Sequence, residues 1–85
     1  MKVTVLGRTV SIRLIRSWQY GALFYVCKRV GKTKSHKDKL LGTIHKDKYG
    51  WETRPAFGDI GHDCIEYKKH AIEDIVQIAM EHNEI

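Results

Sequence analysis

Eighty-five residues, 42% of them hydrophobic and with a formal net charge of +5, fit one small domain over 1–85 and leave no room for a second core. Two tryptophans and a single proline argue against a disordered basic tail, which would hold fewer large apolar residues. No apolar run approaches the roughly 18–20 residues that span a bilayer, and Thr4, Gly7, Arg8 and Thr9 interrupt any leader-like stretch, so a soluble, cytoplasmic protein without membrane contact is expected.

Strands are expected over roughly 2–54. Val3 and Val5 form a short first strand, and Gly7-Arg8 suits a tight type II′ hairpin turn. Val10, Ile12 and Leu14 then alternate with Thr9, Ser11 and Arg13, the period of a half-buried strand. Trp18-Gln19-Tyr20-Gly21 is a connection. From Ala22 to Val30, Phe24, Val26 and Val30 share one face while Leu23, Tyr25 and Cys27 share the other. Apolar residues on both faces predict a central strand.

Gly31 to Lys39 holds no hydrophobic residue and reads as a solvated loop. Leu40 to His45 is the next strand, and Asp47-Lys48-Tyr49-Gly50 turns it into Trp51-Glu52-Thr53, which Pro55 ends or confines to an edge. Ala56 to Gly61 is a glycine-punctuated loop. The period then becomes helical: Ala71, Ile72, Ile75, Val76 and Ala79 make one stripe of a helix over roughly 65–82. Asp63 and Glu66 are spaced as a capping box, with a start nearer Tyr67 the alternative. The fold class is α+β: an antiparallel sheet of about four strands with one C-terminal amphipathic helix on one face. Ile78, Met80 and Ile85 lie off the stripe, and exposed together they would form a sticky patch and a reason to expect a homodimer.

Charge is the most informative property. Lys28 to Lys48 carries eight basic residues against two acidic ones, whereas Tyr49 onward carries three against eight. A phosphate backbone rewards such a segment, because each neutralised phosphate releases counterions. Lys28, Arg29, Lys32, Lys34, Lys37 and Lys39 are the expected backbone contacts, with Arg13, Arg16, Lys46 and Lys48 extending the patch. Trp18, Tyr20, Tyr25, Tyr49 and Trp51 are available to stack on bases if exposed. The layout of strands followed by a helix, with Leu41-Gly42-Thr43-Ile44 and then Gly50-Trp51, resembles the small modules that read DNA with a sheet face. The AP2 type and the arm-binding domain of tyrosine integrases are examples.

Other chemistries find less support. Cys27 and Cys64 are too few for a disulfide framework and are ordinary thiols in a reducing compartment. His62-Asp63-Cys64 has the wrong spacing and too few partners for structural zinc. No nucleophile elbow, phosphate-cradling glycine loop or zincin helix is present. Neither a Cys64–His62 or Cys64–His70 pair nor the acids Glu52, Asp59 and Asp63 have a spacing that specifies a reaction. No enzyme, cofactor or metal site is therefore expected. The expected function is a small nucleic-acid-binding accessory protein acting through the basic hairpin. The alternative is an inhibitor or adaptor of the phage or mobile-element kind, whose basic hairpin docks on an acidic protein surface, including a groove that normally holds nucleic acid.

Overall fold

The computed structural model describes residues 1–19, 21–30, 38–58 and 60–85. Five strands, β1 (Lys2–Val5), β2 (Arg8–Arg16), β3 (Leu23–Lys28), β4 (Lys39–Asp47) and β5 (Gly50–Pro55), are followed by one helix, α1 (Lys68–Glu81). The sheet is an antiparallel meander in the order β1-β2-β3-β4-β5, so β3 is central, as its two apolar faces require. The fold is α+β, with five strands rather than four because Lys2 to Val5 pairs along its whole length with Arg8 to Ser11.

The β1–β2 turn is centred on Leu6-Gly7, not Gly7-Arg8. Both central residues have positive φ, +52° and +76°, the type I′ geometry that matches strand twist. β2 then changes partner: its first half pairs with β1, and Ile12 to Arg16 pair with β3. That hand-over curls the sheet, so that both β1 and β5, at its two edges, touch α1.

A bulge shapes the middle. Val26 pairs with Gly42 and Cys27 with Leu40, leaving Leu41 as the extra residue, fully buried in the core. Two consecutive positions thereby leave strict alternation, and Lys39 comes to the helix side. Gly42 lies beneath the helix: a Cβ there would sit 2.6 Å from the Arg54 carbonyl oxygen and 2.8 Å from Ile75 Cδ1. The core gathers Val3, Val10, Ile12, Val26, Leu41 and Ile44 from the sheet against Ala71, Ile72, Ile75, Val76 and Ala79 of α1. Full burial of each Val, Leu or Ile is worth about 1.5–3 kcal/mol.

α1 begins at Lys68, with Tyr67 as its N-cap and no side-chain cap; the Asp63/Glu66 box does not start it. Residues 60–65 instead run back along β5. The Thr53 N–H donates to the His62 carbonyl and the Trp51 N–H to the Ile65 carbonyl, each at 2.8 Å. The helix ends in a Schellman motif: the Glu84 N–H reaches the Ala79 carbonyl and the Asn83 N–H the Met80 carbonyl, with Asn83 at φ +57°. Its charges run against its dipole, with no acid in the first turn and no base in the last. Its stability therefore comes from packing.

Ile78 and Met80 are buried and Ile85 is partly buried, so the expected sticky patch does not form. The curled sheet and the 60–65 arm cover the helix on more than one side, which accounts for apolar residues off the main stripe. The suspicion of a homodimer thereby loses the observation that raised it. Among the described residues no helix is long and apolar enough to cross a membrane. Both cysteines are free, Cys27 buried and Cys64 exposed.

Candidate nucleic-acid interface

The meander sends the basic candidates to two opposite ends of the sheet. At one end lies the β3–β4 connection. Lys32, Lys34 and Lys37 fall outside the described residues. The Val30 N–H donates to Asp38 Oδ1 at 2.9 Å, closing the base of the hairpin. The other carboxylate oxygen of Asp38 approaches Arg13 Nε at 2.7 Å, and the Asp38 side chain is only 4% exposed. Arg13 is thus a brace rather than a free cation.

Lys39 is also engaged. Its ammonium pairs with the Glu84 carboxylate and donates to the Glu84 carbonyl, and it lies 5.7 Å from the Phe57 ring centre. Lys28 is half-buried beside it across the ladder, and Arg29 is exposed.

Arg16, Lys46 and Lys48 stand at the other end, where the β2–β3 connection meets the β4–β5 turn. The Lys46 N–H donates to the Ala22 carbonyl at 3.1 Å and joins the two. The β2–β3 connection is braced. Arg16 Nε donates to the Gly21 carbonyl at 3.0 Å, the Gln19 N–H to Ser17 Oγ at 3.2 Å, and the Ser17 N–H to the Leu23 carbonyl at 2.8 Å. On this braced turn Trp18 is 90% exposed. Beside it the Asp47 carboxylate accepts the Tyr49 N–H at 2.7 Å, an Asx turn that presents Tyr49 to solvent with Lys48 Nζ 5.0 Å from its ring centre.

Among the described residues nothing covers the sheet face away from α1. That face holds a shallow groove of about 650 Å³ lined by Leu23, Tyr25, Thr43, His45, Glu52 and Arg54, among others. Of the aromatic candidates, Trp18, Tyr25 and Tyr49 are exposed, and Tyr20 lies outside the described residues. Trp51 is 8% exposed: it packs on Phe24 with ring centres 6.1 Å apart and is not available for stacking. Gly42 and Trp51, two of the residues in the stretches that resemble sheet-face DNA readers, are both spent in packing.

Lys68 was not anticipated at this end. It sits 3.9 Å above the Phe24 ring centre, next to Lys69, and the basic first turn of the helix was readable as Lys68-Lys69-His70 without an acid. His62 and Asp74, from the arm and from α1, also meet. His62 Nδ1 lies 2.9 Å from Asp74 Oδ2, which accepts the Thr53 hydroxyl at 2.8 Å. This set fastens the arm over β5 and the helix.

His62 therefore turns toward Asp74, while Cys64 is exposed at φ +57°. Glu52 pairs with Arg54 at 2.7 Å, and Asp59 lies outside the described residues. Among the described residues no three His, Cys, Asp or Glu side chains gather as a metal ion would need. Burial pushes the Cys27 thiol above its ordinary value of 9.0, helped by the Asp38 carboxylate and opposed by Arg13. No protein family, curated protein or solved structure matches the chain.

Proposed function

We propose that this protein binds nucleic acid, with the β3–β4 hairpin as its contact to the phosphate backbone. The observation that carries this reading is the position of Asp38. It is the only acid in the stretch from Lys28 to Lys46. Its carboxylate is turned inward, where it holds the Val30 N–H and Arg13. With Asp38 so engaged, the sequence from Lys28 to Lys46 holds no other acid to offset Lys32, Lys34 and Lys37. The role is binding: phosphate contacts fix position on the strand, and no reaction chemistry is invoked.

Fluorescence anisotropy with labelled DNA and RNA, read as a function of salt, tests the proposal. Three neutralised phosphates on a duplex give a slope of log affinity against log salt near −2.7. Changing Lys32, Lys34 and Lys37 together to alanine should remove most of that slope. Absence of binding at low salt sinks the reading and turns attention to an acidic protein partner for the same hairpin, sought by co-purification with the wild-type and the triple variant.

A further inference from the structure

The end of the sheet opposite the hairpin carries an indole that the fold does not use. Trp18 is 90% exposed, so its ring takes no part in the core. The turn is held by a buried Ser17 and by the Arg16 guanidinium, which donates back across it to the Gly21 carbonyl. The bracing fixes the backbone that carries the indole, and the ring itself is left open to a partner. Tyr49 stands on the neighbouring turn, 68% exposed, and Lys46 ties the two turns together through the Ala22 carbonyl. Lys48 Nζ lies 5.0 Å from the Tyr49 ring centre, and Arg16 and Lys46 stand at the same end of the sheet, with Asp47 between Lys46 and Lys48 engaged by the Tyr49 N–H.

Exposed π-faces among cations fit one chemical class of partner well: a polyanion whose aromatic groups are unpaired and free to stack. In a duplex the bases are already stacked and only their edges face outward. We infer that this end of the sheet, with Trp18 as the principal platform and Tyr49 beside it, binds single-stranded nucleic acid by base stacking. Arg16, Lys46 and Lys48 hold the flanking phosphates.

The inference rests on the nucleic-acid reading above and deepens it by naming the strand state of the ligand. It also gives the two basic ends different work. β4, whose ends mark them, is nine residues long and so spans about 30 Å. The hairpin reads only charge, whereas the aromatic end requires unpaired bases.

The test compares wild-type protein with Trp18→Ala, Trp18→Phe and the Lys32/Lys34/Lys37 triple alanine variant on single-stranded DNA, single-stranded RNA and duplex DNA of one sequence. Trp18→Ala should weaken single-strand binding roughly 5- to 150-fold, the range that loss of one stacked base supplies, and leave duplex binding within about twofold. Trp18→Phe should keep most of the single-strand affinity. Intrinsic fluorescence adds a direct readout. Trp51 is buried, so a single strand should quench the solvent-exposed emission of wild-type protein and leave that of Trp18→Phe little changed. The DNA and RNA arms show which sugar is preferred.

If Trp18→Ala leaves single-strand binding unchanged while the triple variant weakens it, the stacking proposal falls and the hairpin reading stands. An equal loss on duplex and single strand also overturns it. If wild-type protein binds none of the three, both readings fall together.

Discussion

Arg13, from the middle of β2, and Asp38, from the residue before β4, meet at 2.7 Å across the end of β3. The contact joins β2 to the end of the β3–β4 connection and passes beside the Cys27 thiol. Because the Asp38 carboxylate is almost wholly enclosed and also takes the Val30 N–H, it sets the width of the hairpin base. Removing one partner strands the other. Asp38→Ala should destabilise the protein by about 2–4 kcal/mol. The Arg13→Ala/Asp38→Ala pair should cost less than the sum of the two single changes. Urea denaturation of the four proteins measures both quantities.

The Thr53–Asp74–His62 set fastens the 60–65 arm to β5 and α1. Thr53→Val keeps the volume but removes the hydroxyl that donates to Asp74 and accepts the His62 N–H. A loss of about 1–3 kcal/mol is expected. Hydrogen exchange should localise the effect, with the Trp51 and Thr53 amides losing protection while those of β2 and β3 keep theirs.

Gly42→Ala places a methyl group against a backbone carbonyl and the end of Ile75. The Ile75 methyl can turn aside, but the Arg54 oxygen cannot move without disturbing the β4–β5 ladder. Thermal unfolding should show a loss of about 1–3 kcal/mol. Gly21→Ala, which adds a Cβ with nothing within 4 Å, should stay within about 0.5 kcal/mol of wild type as the control.

The thiols should separate cleanly. Cys64 should react with a maleimide in the native protein at once, and Cys27 only as fast as the structure opens. Burial raises the Cys27 thiol in the folded state above its ordinary value of 9.0. Its contribution to stability is therefore fully present below pH 9 and is lost as the pH rises, because the unfolded thiol ionises first. Denaturation of wild type and Cys27→Ala at pH 8 and pH 10 checks the sign: wild type should lose more stability over that interval than the variant.

Much of the fold was legible in the chain because two strong periodicities operate in it. Val10, Ile12 and Leu14 alternate, Phe24 and Val26 oppose Leu23 and Tyr25, and Ala71 to Ala79 keep a helical stripe. What was not legible depends on contacts between distant residues. Leu41 looks like one more alternating position, yet the bulge beside Val26 makes it the inserted residue. Ile78 and Met80 look exposed on a helical wheel until the curl of the sheet is known.

The 60–65 arm has no strand signature at all, since Cys64 at positive φ interrupts it. It is held by Thr53, a residue that local pattern assigns only to a strand. At the candidate interface, charge density pointed to the hairpin. Composition alone did not reveal that Arg13 and Lys39 are engaged by Asp38 and Glu84, or that Trp18 rather than Trp51 faces water.

The arm over β5 limits what the sheet can become. The outward N–H groups of that strand belong to Trp51 and Thr53, both already given to the arm, and to Pro55, which has none. One margin of the sheet is therefore closed to strand addition. Among the described residues nothing pairs with β1 on its far side. The margin left open to a further strand, among the described residues, is the β1 side. The 60–65 arm thus does for β5 what a further strand would do, and shields that edge from pairing with another chain.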